Sequence, residues 1–590
     1  MSRSGGPDQT GYYHDDLADF GFNRLAIMDV SINGKQPVSS PSGRYIIMFN
    51  GEIYNFKELI KEYSLNGIRS GSDVEVLAHL VERIDFVHML SLLNGMFSLS
   101  VWDKHEKLLY LARDFAGIKP LFYSITKSGF IFSSQYNQIV KYPWLGNWNW
   151  SVTGLSEYFQ LGYMSAPDTV IEEIKILEPG FYGIYNANTA TFTRKEYKLL
   201  FEGRQPFESR ESAPETVEHV HALLLDIVKS QLVADVPVGI FLSGGIDSAL
   251  IAALSSRFRP DIKTITVGFE DQALDESDLA RKYANFLNIE NHTVSLSQND
   301  VLNTINEHNR SITEPFADYS SIPMYLASKV ASADFKVMLS GDGGDELFWG
   351  YPRYRQLINS RYILKVKSYT GRSLLTKWAK KSGIEVTSKV SAMSLGEANL
   401  LHHSMFHADV YSQLFEDNIE GSDKLRKGFH FTGTDKVQIL DYLRKNDFYY
   451  FMQKVLTKVD RASMSNGLEV RVPFLDGRLL NFVEKIKPDF SIRHDTLKFV
   501  TKKILSQYLP DGLISHTKKG FVPPLANWSK SILYDEINEM LMNMDACSDI
   551  PVNGEVIRAE WSKFVSGNKA NIDGIWAYFM LLKWHNNNFR

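Results

Sequence analysis

Two short loops in the 590-residue chain concentrate residue types that can do chemistry: Ser243-Gly244-Gly245-Ile246-Asp247-Ser248 and Ser340-Gly341-Asp342-Gly343-Gly344-Asp345-Glu346. Each follows an apolar run of strand character, residues 238–242 and 336–339, and the first leads directly into residues 249–255, which are rich in helix formers. A glycine turn between strand and helix lets backbone N–H groups approach an anion closely, while the helix N-terminus adds a favourable dipole. The first loop therefore suits a phosphate or pyrophosphate, with the hydroxyls of Ser243 and Ser248 as further donors. Asp247 repels a bare phosphate, and its natural role beside a nucleotide is to hold Mg²⁺. Neither the Walker pattern nor the dinucleotide Gly-x-Gly-x-x-Gly is present, and on its own such a turn also reads as an ordinary strand-to-helix connection. The second loop tips the balance. Asp342, Asp345 and Glu346 crowd three carboxylates together, which is costly unless a cation offsets them. Loops at the carboxyl ends of parallel strands converge on one crevice, which would bring Asp247 and Asp345 to a shared Mg²⁺.

The elements that must position these loops are legible in outline. Up to about residue 197, short apolar or alternating stretches (23–30, 45–49, 96–102, 108–112 and 129–133) are separated by Gly, Pro, Asn and Asp, and helical periodicity appears at 56–63 and 73–83. This predicts an α+β layered domain over residues 1–200. A polar run broken by two prolines marks a linker at 201–215. From 216 to 590 an amphipathic helix at 216–231 precedes buried-strand candidates at 238–242, 264–269 and 336–339, which argues a parallel sheet with crossover helices, and helices dominate from about 408 onward.

Composition narrows the function. At roughly 100–200 residues per domain the length suggests two to four domains, and 44% hydrophobic residues suffice for their cores. With 64 basic against 69 acidic residues, the net charge of −5 gives no overall field toward nucleic acid or an anionic membrane, so neither is expected as a partner. Cys547 is the only cysteine, which excludes an internal disulfide framework, a cysteine-based zinc site and an iron–sulfur cluster. With no signal-like N-terminus and no run of about 18 apolar residues, the expected location is the cytoplasm.

The two loops, with Glu314-Pro315-Phe316-Ala317-Asp318, Tyr351-Pro352-Arg353-Tyr354, Lys458-Val459-Asp460-Arg461-Ala462-Ser463-Met464, Leu468-Glu469-Val470-Arg471-Val472-Pro473-Phe474-Leu475-Asp476 and Lys518-Lys519-Gly520-Phe521, resemble the synthetase domain of glutamine-dependent asparagine synthetases, a family of ATP-pyrophosphatases. The resemblance implies an ATP-pyrophosphatase sheet with a helical C-terminal part, and a reaction in which an acid attacks the α-phosphorus of ATP before ammonia displaces AMP. It places Ser243, Gly244, Gly245, Asp247 and Ser248 on the pyrophosphate; Leu242, Val267, Ser340 and Gly341 by the nucleotide; Asp247 and Asp345 on Mg²⁺; and Lys518 over the α-phosphate, where a fixed positive charge stabilises the transition state. Asp342 stands where several members carry glutamate, near the substrate amine or the attacking ammonia. Asp460, Arg461, Glu469 and Arg471 either line the same cleft or form a structural ion network.

The first domain resembles the class II glutamine amidotransferase fold of the same family, an αββα sandwich of the Ntn-hydrolase type, through Gly6-Pro7-Asp8, Arg24-Leu25-Ala26-Ile27, Asn50-Gly51-Glu52-Ile53-Tyr54-Asn55 and Ser72-Asp73-Val74-Glu75. By carry-over Arg24 pairs with the glutamine carboxylate, Glu52 and Asp73 take its ammonium group, and Asn50 with the Gly51 N–H forms an oxyanion hole. The family's nucleophile is an N-terminal cysteine. Here Met1 is followed by Ser2, which leaves two readings: a native start further upstream, or a synthetase fed by free ammonia. As written, the chain is expected to form no amide from glutamine.

The leading expectation is synthesis of asparagine from aspartate. The alternative is another carboxylic acid, such as a uronic acid of surface polysaccharides, and a catalytically silent scaffold is the reading from another class. A homodimer and an ammonia tunnel between the two sites are implied by resemblance alone.

Overall fold

A computed structural model describes residues 5–201, 211–269, 275–389, 392, 394–415, 423–490, 492, 496–514, 523–543 and 549–589. In the N-terminal part, strand alternation sorts side chains into layers. The six-stranded antiparallel sheet runs in the spatial order Thr191–Glu196, Phe181–Asn186, Leu108–Arg113, Gly95–Asp103, Tyr45–Ile53, Val38–Ser39. On one face Ile47, Phe49, Leu99 and Val101 pack with Leu59, Leu77 and Met89 of the helices Phe56–Glu62, Asp73–Leu80 and Phe86–Leu92. On the other, Ile46, Met48, Trp102 and Leu111 meet Phe20 and Tyr123 from a two-stranded and a three-stranded sheet. The far side of the three-stranded sheet packs on the helices Tyr136–Val140 and Val152–Leu161 through Phe122, Ile174, Ile139 and Leu155. The layers are helix, sheet, sheet, helix.

One strand expectation is corrected. Residues 23–30 do not form a strand: the strand is Asp19–Arg24, and the chain then leaves the sheet. The cause is Arg24, whose Nη2 donates to the carbonyls of Met28 and Asp29, each at 2.7 Å, and curls residues 25–31 around its guanidinium. Asp29 takes a left-handed conformation, φ 49°, to complete the loop.

In the C-terminal part, helix α1 (Ala213–Gln231) starts with a capping box between Ser212 and Glu215, so the polar run at 211–215 ends as a helix cap; residues 202–210 lie outside the described residues. The strands β1 (Val238–Phe241), β2 (Lys263–Phe269), β3 (Glu290–Leu296), β4 (Val337–Leu339) and β5 (Glu469–Arg471) form one parallel sheet in the order β3-β2-β1-β4-β5. Strands β1 and β4 are neighbours, and the connections reverse direction between them, which makes their carboxyl ends the crevice where such a sheet binds ligands. Helix α2 (Ile246–Ser256) follows β1 directly. After β4 come α3 (Pro352–Ser360), α4 (Tyr369–Lys381), α5 (Met452–Met464), α6 (Phe499–Leu505) and α7 (Ile572–Phe589). Strand β5 lies inside this helical region and was not foreseen, because its alternation, Leu468-Glu469-Val470-Arg471-Val472, is only five residues long and sits between helical segments. A continuous core, with Ile27 and Leu99 at one end and Leu250 and Leu480 at the other, joins the two parts. Among the described residues no helix is long and apolar enough to cross a membrane.

Candidate functional site

The loop after β1 is folded on itself by its two serines. Ser248 Oγ accepts from the Ser243 N–H at 3.1 Å and lies 2.9 Å from Ser243 Oγ, which in turn accepts from the Gly245 N–H at 3.1 Å. The hydroxyls thus shape the turn that opens α2. The loop after β4 sits directly on it. A Cβ on Gly341 would come within 2.6 Å of the Ser248 nitrogen, and one on Gly344 would overlap the Asp247 carboxylate, so only glycine allows this approach. Gly343 takes a left-handed conformation, φ 92°, to turn the second loop.

The two loops open into one cavity of about 780 Å³, lined by Leu242, Ser243, Gly244, Gly245, Asp247, Ser248, Val267, Ser340, Gly341, Asp342 and Asp345. Sequence-expected residues separated by as many as 103 positions therefore share one space. Lys518 lies outside the described residues, as do Ser2 and Cys547.

Asp247 and Asp345, which the sequence reading brought to one shared cation, do meet, and in this structure a lysine lies between them. The ammonium group of Lys498 bridges Asp247 Oδ2 and Asp345 Oδ1, the latter at 2.5 Å, with 8% of its side chain exposed. Lys498 precedes α6 in a left-handed conformation, φ 58°. No motif marks it in the sequence; the signal was the carboxylate crowding itself, which demands a positive charge without saying from where. Hard oxygen donors from two loops meet at one point, and Asp247 Oδ1 is buried without a hydrogen-bond partner, so the residues also fit Mg²⁺. A Cβ on Gly350 would overlap Asp345 Oδ1 and Lys498 Cε. On the reaction that the resemblance implies, Gly350→Ala should accordingly lower AMP formation from ATP by about 100-fold, the order of loss expected from a displacement near 1 Å at a reacting centre. Single-turnover kinetics check this, and a rate within threefold of wild type, to order of magnitude, would show that the cluster tolerates the shift.

Beyond the loops the cavity changes character. Helix α5 continues a π-helical turn, Asp447–Phe451, a local irregularity frequent at functional sites. Phe451, Lys454, Val455 and Lys458 present one helical face to the cavity, opposite Asp318. Lys454 Nζ is 3.8 Å from Asp318 Oδ2. Burial works against the Asp318 charge, but Lys454 and Lys458 outweigh it and hold the carboxyl below its ordinary pKa. Glu346 is buried on the same wall and accepts from Tyr351 Oη at 2.5 Å; burial pushes it up to about 7. Behind it the Arg353 guanidinium stacks 4.2 Å from the Tyr351 ring centroid and pairs with Asp447. Burial opposes the Asp447 charge too, yet Arg353 and then His403 hold it at about 2. The sequence reading assigned no role to Lys454, Lys458, Asp318 or Glu346. Tyr442 stacks on Phe431, 4.4 Å between ring centroids, and does not line this cavity.

A second, small cavity of about 60 Å³ is lined by Arg24, Asn50, Gly51, Glu52 and Asp73, the five residues expected there, together with Met464 and Glu469 from the C-terminal part. Three of the five also have partners within the protein. The terminal nitrogens of Arg24 donate to Gln9 Oε1 and to the carbonyls of Met28, Asp29 and Ser31, so its charge serves the 25–31 loop. Glu52 pairs with Arg471 Nη2 at 3.2 Å. Asp73 accepts from the Ile53 N–H at 2.8 Å. Burial raises both acids: Asp73 to about 6, and Glu52 well above the carboxylate range with Asp73 adding to the effect. The open alternative for Asp460, Arg461, Glu469 and Arg471 resolves toward an ion network, because none of them lines the larger cavity. Asp460 accepts from Lys119 at 3.3 Å and Arg461 donates to Glu314 at 2.8 Å. Helix α5 carries Lys458 at the larger cavity and Met464 at the smaller, about 9 Å apart along its axis.

Comparison with known proteins assigns a separate family model to each part of the chain. A family model described as asparagine synthase matches residues 219–586, and one described as glutamine amidotransferase domain matches residues 2–198. The chain is 30% identical to glutamine-hydrolysing asparagine synthetase 1 of Bacillus subtilis strain 168, over 99% of this chain and 92% of that protein. It is 29% identical to a putative glutamine-hydrolysing asparagine synthetase of Mycobacterium tuberculosis, over 90% and 84%. It is 26% identical to the amidase chyE of Penicillium rubens, over 91% and 85%.

Proposed function

The chain belongs to the asparagine synthase family of glutamine-hydrolysing carbon–nitrogen ligases, and we propose that it converts aspartate, ATP and ammonia into asparagine, AMP and pyrophosphate through a β-aspartyl adenylate. We assign the ligation to residues 216–590 and the glutamine half to residues 1–200, joined by 201–215. The observation that carries the proposal is the meeting of two glycine loops and a buried lysine in one cavity that is also lined by Lys454 and Lys458 with Asp318, Asp342 and Glu346.

At the loop end, the Ser243–Ser248 turn and the N-terminus of α2 hold the pyrophosphate as it leaves, and Leu242, Val267, Ser340 and Gly341 flank the adenosine. Asp247 and Asp345 would hold Mg²⁺, which when bound offsets the charge of the phosphates. Lys518 is assigned to the α-phosphate by its place in the sequence. The remaining charges of the cavity suit a zwitterionic acid. Lys454 and Lys458 take the carboxylate that does not react, while Asp318, Asp342 and Glu346 offer oxygens to its ammonium group. The reacting carboxylate oxygen attacks the α-phosphorus and expels pyrophosphate. Ammonia then attacks the acyl carbon, AMP leaves, and the nitrogen sheds a proton, which Asp342 is assigned to take by its place in the second loop and in the lining of the cavity.

The test is AMP and pyrophosphate release from ATP–Mg²⁺ with ammonium, with and without aspartate. Ammonium addresses the ligase half alone. Aspartate-dependent AMP is the expected result. ATP binding without it would refute aspartate as the acid, and the same assay over uronic acids would then decide the alternative. Lys454→Met and Lys458→Met are each expected to raise KM for aspartate by about 30-fold, the loss of one charge-assisted contact, with KM for ATP little changed. Equal effects on both substrates would place the lysines elsewhere in the reaction.

A further inference from the structure

Residues 361–389 form an excursion that starts and ends at the rim of the larger cavity: α3 leads into it from Arg355, and Glu385 near its far end returns to pair with Arg355 at 3.2 Å. The whole chain carries a net charge of −5, yet this excursion holds eight lysines and arginines against one glutamate. The average hid the patch.

Helix α4 within it is packed inside out. Arg372, Thr376 and Ala379, at i, i+4 and i+7, face the protein, whereas Leu374, Leu375 and Trp378 face away from it with 68%, 40% and 64% of their surface exposed. Tyr362, Tyr369 and Ile384 extend the exposed apolar area. A helix at the surface of a globular protein ordinarily turns its apolar stripe to the core, and a contiguous exposed patch of this kind marks an interaction surface. The patch is held in place, because Arg372 Nη1 donates to the Val366 carbonyl at 2.9 Å and ties the preceding loop to the helix. Beside the apolar arc, Lys377, Lys380 and Lys381 are exposed, as are Lys365 and Lys367 on the loop.

We propose that this face docks the protein on an anionic lipid surface, with Leu374 and Trp378 entering the headgroup–acyl boundary and the lysines pairing with lipid phosphates. The chemistry of the patch selects this partner. An apolar arc with aromatic residues, flanked by lysine, is the composition of helices that lie in a membrane interface. A second copy of the chain would bring two basic patches together across a self-complementary interface, which like charges oppose. A nucleic acid would satisfy the lysines but leave Leu374 and Leu375 in water.

Flotation of the full chain with phosphatidylcholine vesicles, with and without phosphatidylglycerol, tests the proposal. Binding is expected only with the anionic lipid and is weakened by salt. The triple variant Lys377→Gln, Lys380→Gln, Lys381→Gln should lower the partition coefficient by about 100-fold, at about fivefold per charge. The double variant Leu374→Ser, Trp378→Ser should lower it by tenfold or more, order of magnitude, with unfolding temperature unchanged because these side chains are already exposed. No binding of wild type to anionic vesicles, binding that ignores lipid charge, or binding that survives both variants would overturn the proposal. So would a concentration-dependent rise in mass that Trp378→Ser abolishes, since the patch would then join copies of the chain.

Discussion

Lys498→Met is expected to reduce ammonia-dependent AMP formation by about 1000-fold, the scale of losing a preorganised charge at a phosphoryl site. The same change should be visible without any substrate. Lys498 is the buried cation between Asp247 and Asp345, and deleting one partner of a buried ionic cluster leaves like charges facing each other at a cost of about 3–5 kcal/mol. Methionine keeps most of the side-chain volume, so the loss reports charge and not packing. Because only a cation is missing, Mg²⁺ should stabilise the variant more than it stabilises wild type. Thermal unfolding with and without Mg²⁺ checks this. A variant as stable as wild type, with the same response to Mg²⁺, would show that the carboxylates do not depend on Lys498.

The second large effect is expected at Arg471, which lines neither cavity. Its guanidinium is fully buried and donates to Glu469 at 2.8 Å, to Glu52 at 3.2 Å and to the carbonyls of Gln231 and Val233 at 2.8 and 2.7 Å. It therefore ties β5 and the segment after α1 to the smaller cavity. Arg471→Met strands Glu52 and Glu469 near Asp73 and should cost about 3–5 kcal/mol at neutral pH. The pH dependence has a definite sign. Glu52 and Asp73 already have folded-state pKa values above their unfolded ones, from burial first and from each other in the case of Glu52. Without Arg471 they rise further. A carboxylic acid with a raised folded pKa contributes stability that is fully present below its unfolded pKa and lost as pH rises through the folded one. The penalty of the variant should thus be largest above about pH 7 and shrink as pH falls toward about 4, where the acids are protonated in both states. Urea denaturation of both proteins across that interval measures it. A penalty independent of pH would mean that Arg471 acts through shape alone.

These two residues also show how far sequence reasoning reaches. The glycine loops were legible because their chemistry is local: strand, turn and helix follow each other without a gap, and three carboxylates in one short segment state their own need for a cation. Lys498 was not legible, since it lies 153 positions beyond Asp345 in no recognisable pattern. Arg24 shows the converse. Its type and motif suit a ligand carboxylate, but that its guanidinium also curls residues 25–31 through the carbonyls of Met28 and Asp29 could be read only from the fold. Helix α4 has a clear apolar stripe, and periodicity alone would have turned that stripe inward.

By itself, the sequence determined the strand, glycine-turn and helix units of the C-terminal part and the alternating strands of the layered N-terminal part, because these patterns are set by residues close in the chain, whereas the pairing of the parallel strands joins residues as far apart as Val337 and Glu469. Only the tertiary structure decided which charges meet: Lys498 with Asp247 and Asp345, Arg471 with Glu52, Lys454 with Asp318, and the outward face of α4. The physical reason is that buried charge is stable only when paired, and pairing is a matter of position in space. Residue type and spacing say that a partner is needed; the fold says which one arrives.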